Sequence, residues 1–318
     1  MRSVFNDELL KIARNDKRIF MVLADIGYGE IEPFAQEFPD RFYNVGVAEQ
    51  NMTGVACGIA MEGNIAITYS IANFPTLRPL EQIRNDVCYH NANVKIVIIG
   101  GGLAYGPLGI SHHSTEDIAI LRALPNIIVV APSDFAEARA AVHAMIEHNG
   151  PVYYRCGYKK EPAIHENPIN FKFGKAIKIL DGSDATIIFT GTIGYNAKVA
   201  AELLKKDGIY VRLLSMHTVK PIDSRAIVDA AANTNAIITV EEHNINGGLG
   251  GAVAEVLMDN GVGNIGFKRL ALPDVNVSKI GSQEWLRGQY GLDAQSIAST
   301  VRSLLRKKFP KICNDLKA

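Results

Sequence analysis

Short, unbroken apolar runs alternate along the chain with longer stretches in which apolar residues return every three or four positions. The runs are Ile19–Ala24, Ile65–Tyr69, Val94–Ile99, Asn126–Ala131 and Pro151–Arg155. Runs this short and continuous suit parallel strands covered on both faces. Helical spacing falls on Phe5–Ala13, Leu80–Tyr89, Thr115–Leu124 and Asp134–His148. A second series repeats the alternation, with strands expected over Asp184–Phe189, Tyr210–Leu214 and Ala236–Val240. Its helices are expected over Ala197–Lys206, Asp223–Ala232, Gly248–Met258 and Ala294–Arg306. Such alternation predicts parallel α/β sheets joined by right-handed crossovers. The polar segment from about Cys156 to Pro168 carries Pro162 and Pro168 and reads as a linker. The expectation is two parallel-sheet α/β domains, residues 1–160 and 170–318.

The stretch from Arg41 to Gly63 reads as a strand end, a tight turn at Gly46 and a helix. Ala48, Met52, Val55, Ala56 and Ile59 share one face of that helix. Its residues are small and apolar, so burial is expected, yet Glu49 sits in its first turn. A carboxylate there either complements the positive end of the helix dipole or does chemistry. This stretch alone leaves both readings open.

Composition narrows the partners. Lys+Arg and Asp+Glu both number 33, so the chain carries no net charge. That argues against nucleic acid or an anionic membrane as the main partner. Cys57, Cys88, Cys156 and Cys313 are far apart and form no C-x-x-C pair, which disfavours a zinc site and favours a reducing, cytoplasmic location. Asp7 and Glu8 stand where a signal peptide would need an apolar core. The uncharged stretch between Lys95 and Glu116 is broken by five glycines and Pro107, so no membrane span is expected.

Ligands of open α/β sheets bind beyond the carboxyl ends of the strands. Asp25, Glu49, His112, His113 and Arg155 are expected at such ends. Each alone is ordinarily a structural residue. Together they suggest a pocket for a small, anion-bearing polar substrate, with Arg155 as a phosphate partner. Gly100-Gly-Gly102 and Gly247-Gly-Leu-Gly-Gly251 fit neither the P-loop nor the dinucleotide fingerprint, and tight turns or close helix packing explain them.

Several longer motifs carry a resemblance. They are Gly46-Val-Ala-Glu-Gln-Asn-Met52, Leu77-Arg-Pro-Leu-Glu-Gln-Ile-Arg-Asn85, Ser111-His-His-Ser-Thr-Glu-Asp117 continuing to Asn126, Ala131-Pro-Ser-Asp134 and Val240-Glu-Glu-His243. Through them residues 2–155 resemble the pyrimidine-binding domain of transketolases, and 173–306 resemble their C-terminal domain. The related deoxyxylulose-phosphate synthases and 2-oxoacid dehydrogenase β subunits share this architecture. A transketolase is roughly twice as long, and its other half carries a Gly-Asp-Gly motif that this chain lacks. The resemblance therefore implies the C-terminal subunit of a split transketolase, paired with an N-terminal subunit in an α2β2 assembly. The implied cofactor is thiamine diphosphate, its divalent metal (Mg or Ca) held mainly by the partner. The implied reaction moves a two-carbon ketol unit from a ketose (phosphate) donor to an aldose acceptor.

The resemblance also implies roles. Glu49 matches the glutamate that hydrogen-bonds N1′ of the aminopyrimidine. Phe74 matches the aromatic residue stacked on that ring, with Ile71 and Leu77 where two further aromatics stand in the family. Asp25 matches an acid near the cofactor. His112 matches the histidine at the reacting substrate oxygens, and adjacent His113 could share that task. Arg155 and Arg2 match arginines that bind the sugar phosphate. Two positions depart from the pattern: Gly100 replaces a phosphate-contacting histidine and Leu108 an aspartate that senses the C2 hydroxyl. The sugar pair is therefore expected to differ. Two rivals accompany this expectation: a deoxyxylulose-phosphate-synthase-like or 2-oxoacid dehydrogenase β subunit, and a non-catalytic stabilising subunit.

Overall fold

The computed structural model describes residues 1–307 apart from Tyr28 and Lys159. The last residues of the second expected domain, 308–318, lie outside the described residues. Twelve strands are present among the described residues: β1 Ile19–Leu23, β2 Phe42–Asn44, β3 Ile65–Ile71, β4 Val94–Ile99, β5 Ile128–Val130, β6 Val152–Cys156, β7 Ile177–Leu180, β8 Ala185–Phe189, β9 Val211–Ser215, β10 Thr218–Lys220, β11 Ala236–Asn244 and β12 Gly266–Leu272. They form two sheets, ordered β10-β5-β6-β4-β3-β1-β2 and β12-β11-β8-β9-β7.

The continuous apolar runs become the central strands because both of their faces are covered. Alternate residues of β1 go to opposite sides: Met21 and Leu23 join one core, and Val22 the other. β4 does the same, with Val97 and Ile99 on one side and Val94, Ile96 and Ile98 on the other. Two further cores flank the second sheet, around Phe189 and Ile238 on one face and Ile188 and Ile237 on the other.

The structure corrects the expected architecture at its edges. Both sheets are mixed rather than purely parallel, since β10 pairs antiparallel with β5 and β7 antiparallel with β9. β10 lies after the linker in sequence yet completes the first sheet, so the two halves share a strand. The helix expected over Leu80–Tyr89 is α-helical only at Leu80–Gln82 and continues as a π-helix over Ile83–Cys88. The first helix begins earlier than expected and spans Arg2–Asn15. An unexpected short helix, Gln283–Gln289, is capped by the Ser282 side chain.

The linker is tied down at Asp134. One carboxylate oxygen caps the helix Phe135–Glu147 by accepting from the Ala136 and Glu137 amides. The other accepts from the Ile164 and His165 amides at 2.9 and 3.2 Å. One acid thus satisfies a helix start and fixes the linker against the first domain.

Candidate active site

The turn that delivers Glu49 is built by Asn44, the last residue of β2. Its side-chain oxygen accepts from the amides of Asp25 and Gly46, and its Nδ2 donates to Asp25 Oδ1 at 3.0 Å. Gly46 has φ +75°, a conformation glycine adopts without strain. Asp25 also has positive φ, at +53°. The Asn44 contacts hold Asp25 in this costly conformation just beyond the end of β1. The chain then enters the helix Glu49–Met61, whose inner face buries Met52, Ala56 and Ala60.

Glu49 opens that helix and is only 3% exposed. Among the described residues one donor serves its carboxylate: Arg78 Nη1, 2.6 Å from Oε1. Arg78 follows the short helical turn Phe74–Leu77, and its guanidinium carbon lies 4.2 Å from the centre of the Phe74 ring. The other neighbour of Phe74 is His112, ring centres 5.3 Å apart and edge to face. His112 Nδ1 is 2.9 Å from Ser111 Oγ. An acid, an aromatic face, an imidazole and a half-exposed cation therefore meet beyond the carboxyl ends of β3 and β4.

The other expected site residues are placed as follows. Ile71 ends β3, and its side chain packs partly into the first core. Leu77 is exposed. Asp25 lies at the same sheet end, held by Asn44. Arg2 opens the first helix, donates to Glu30 Oε1 at 2.9 Å and lies 5.4 Å from the centre of the Tyr158 ring. Tyr158 packs on Tyr105 at 4.6 Å, and Tyr105 reaches to 6.2 Å from His112. Arg2 and His112 are thus ends of one aromatic wall.

Two expected residues do not join this surface. His113 is 2% exposed, and burial holds its pKa below the ordinary imidazole value. Of the adjacent pair, His112 is the one that meets the Phe74 ring. Arg155 is buried, and two of its three nitrogens are bonded internally: Nε to Asp117 Oδ2 at 2.7 Å, and Nη2 to the carbonyls of Ser114 and Glu242 at 2.7 and 3.1 Å. Burial would push the Asp117 carboxyl up, but the Arg155 guanidinium outweighs it and holds the acid below its ordinary value. Arg155 thus pins the loop at 114–117 to the second domain through Nε and Nη2.

Gly100 shows why its side chain is missing. With φ +87° it lies against the Tyr105 ring, and a Cβ built there would overlap that ring. Tyr105 fills the space a larger residue at position 100 would need. Sequence reasoning missed Tyr105, Arg78 and Asn44. Arg78 was visible in a motif, but its role depends on a contact 29 residues back in the chain.

In the second sheet the strand order reverses between β8 and β11. There Glu242 accepts from Arg287 Nε at 2.7 Å and Gln283 Nε2 at 2.9 Å, while Arg287 Nη2 donates to Thr192 Oγ1 at 3.0 Å. Glu241 accepts from the Leu249 and Gly250 amides and so caps the helix Leu249–Asp259. His243 Nε2 accepts from the Ala119 amide of the first domain. The glycine-rich Gly247–Gly251 segment packs closely, with Gly248 against Glu241 and His243. Among the described residues no cluster of His, Cys, Asp and Glu is arranged to hold a metal ion, and no helix is long and apolar enough to cross a membrane.

Comparison with known proteins identifies both halves of the fold. Residues 1–158 match the pyrimidine-binding domain of transketolase, and 174–297 its C-terminal domain. A putative transketolase C-terminal section of Methanocaldococcus jannaschii is 40% identical, covering 97% of each chain. One of the subunits of an apulose-4-phosphate transketolase from Phocaeicola vulgatus is 41% identical, covering 96% of this chain and 97% of that one. A solved structure described as a split gene transketolase, inactive beta4 tetramer, superposes with a TM-score of 0.85 at 36% identity, covering 96% and 97% of the two chains.

Proposed function

This chain belongs to the transketolase family as the C-terminal subunit of a split transketolase, and we propose that it supplies Glu49, Phe74 and His112 to a thiamine-diphosphate site completed by an N-terminal partner. The observation that carries the proposal is the buried Glu49 carboxylate at the open end of the sheet, beside a ring face. The slot fits an aminopyrimidine: a planar group with N–H donors already lies in it, on Glu49 and over Phe74. The pyrophosphate and its divalent metal belong to the partner.

When bound, thiamine diphosphate supplies the electron sink for carbon–carbon cleavage. Glu49 would accept and return a proton at N1′ of the aminopyrimidine. Phe74 orients the ring through its face. His112 donates a hydrogen bond to the substrate oxygen that gains charge, and Ser111 fixes its ring. Arg2, set in the wall of Tyr158 and Tyr105, receives the anionic end of the sugar. Asp25, held by Asn44, borders the cofactor, and Ile71 backs the slot. Arg155 acts at a distance by fixing the loop that carries His112.

The acceptor end differs from a site lined by histidine and aspartate. Tyr105 fills the space beside Gly100, and Leu108 is half exposed without a polar atom. Such a wall discriminates weakly on a hydroxyl. The working assembly is α2β2, and the transfer is of a two-carbon ketol unit. The test is to assay the chain alone and with its partner against ketose phosphates and a panel of aldehydes. Ketol transfer without carbon dioxide release, seen only with both subunits, is the expected result. Carbon dioxide release with transfer of an acyl unit, or turnover by this chain alone, overturns the proposal.

A further inference from the structure

Glu49 is not unpaired in the folded chain. Arg78 donates to its carboxylate at 2.6 Å and at the same time lies 4.2 Å from the centre of the Phe74 ring. One planar group therefore meets both surfaces assigned above to the aminopyrimidine. A guanidinium has a flat face that stacks on aromatic rings and an edge of N–H donors. A protonated aminopyrimidine offers the same combination, a flat face toward Phe74 and a ring N–H toward Glu49. The two cannot occupy the seat together.

We propose that Arg78 is a placeholder for the aminopyrimidine, pairing Glu49 until the cofactor displaces it, and that its grip lowers the affinity for thiamine diphosphate. This rests on the cofactor reading above and deepens it. The partners are unequal in a way that suits exchange. The Glu49 side chain is 3% exposed, but that of Arg78 is 46% exposed. Without a donor the acid would be a buried, uncompensated charge, which is costly. A partner that reaches in from solvent removes that cost and can swing out again with little loss. The buried acids of the second domain differ: Glu242 is served by Arg287 and Gln283, both themselves buried.

The experiment titrates thiamine diphosphate into the reconstituted two-subunit complex by calorimetry, with wild-type chain, Arg78→Met and Arg78→Lys. Methionine keeps the apolar stem over Phe74 and removes the donor. Lysine keeps the charge but loses the planar fork. Arg78→Met should bind the cofactor about three- to tenfold more tightly, as expected on removing a half-exposed ion pair that competes for the seat. Arg78→Lys should fall between. Because salt screens the competing pair, the gap between wild type and Arg78→Met should narrow as salt is added. Thermal melts of each chain confirm that the variants fold. Wild-type binding with an Arg78→Met affinity equal or weaker overturns the placeholder role and leaves the cofactor reading standing. Absence of binding by every complex overturns the cofactor reading and the placeholder role with it.

Discussion

Each domain buries an acid toward the carboxyl side of its sheet, Glu49 at the start of a helix after β2 and Glu242 near the end of β11, and the two are treated in opposite ways. In the second domain Glu242 and Arg287 are buried together and hydrogen-bonded to Thr192, Gln283 and Asn196. Arg287 is bonded through all three nitrogens, Nη1 reaching both Asn196 and the exposed Glu284, and the Glu242 carbonyl accepts from Arg155 of the first domain. In the first domain Glu49 is as deeply buried, yet its donor among the described residues comes from a half-exposed side chain. Burial of a charge does not by itself mark a functional site. What separates the two is whether the compensating group can leave.

Several changes test that contrast. Glu49→Gln should lower ketol-transfer turnover of the reconstituted complex by about 10²–10⁴-fold, the usual weight of a general acid–base group, with the melting temperature nearly unchanged. Arg287→Met should do the reverse. Leaving Glu242 buried and short of its main partner should cost about 3–5 kcal/mol in a denaturant titration, with the affinity for cofactor unaffected in the molecules that remain folded. If Arg287→Met left stability intact, the second network would not be the closed structure described.

A third test uses a cation buried with no acid beside it. Lys95 is fully buried and donates to the carbonyls of His148 and Gly150, both at 2.7 Å. Burial lowers its pKa from 10.5 to about 7. A neutral amine has two N–H groups, which matches two carbonyls. The folded value lies below the unfolded one, so between about pH 7 and 10.5 the unfolded chain holds the extra proton. This contribution to stability is complete above pH 10.5 and is lost as pH falls toward 7, at up to about 1.4 kcal/mol per pH unit. Chemical denaturation across that range should show the slope in wild type and its absence in Lys95→Met.

The smallest effect compares two glycines. Gly208 has φ +75° and open space around its missing Cβ, whereas a Cβ at Gly100 meets the Tyr105 ring. Gly208→Ala should cost about 1 kcal/mol from backbone strain. Gly100→Ala should cost about 1–3 kcal/mol more, because the ring must move. Equal losses in thermal melts would show that Tyr105 is not packed into that space.

The sequence made the interior of the fold legible where burial on both faces left a continuous apolar run, as in β1, β4 and β8. It hid the edges. β12 reads Gly-Phe-Lys-Arg-Leu-Ala-Leu, a half-solvated strand with weak alternation, and β10 is three residues that find their place only against β5. Glu49 was legible as an acid heading a small, apolar helix, and His112 and Phe74 were expected only through the family resemblance. Arg155 looked like an anion site because its type and strand-end position fit one. Its capture by Asp117, Ser114 and Glu242 depends on segments 38 to 87 residues away, which no local pattern encodes. Separation in sequence also concealed the Arg78–Glu49 pair, 29 residues apart, whereas the Tyr105 ring over Gly100 is a contact inside one irregular loop that no periodic pattern marks.

The central claim is that Glu49 handles the proton at the aminopyrimidine. The most direct measurement is hydrogen–deuterium exchange at the thiazolium C2 of thiamine diphosphate bound to the reconstituted complex, followed by nuclear magnetic resonance after acid quench. The account predicts fast exchange with wild-type chain and a loss of about 100-fold or more with Glu49→Gln. Equal exchange rates in the two complexes, with the cofactor bound in both, would contradict it.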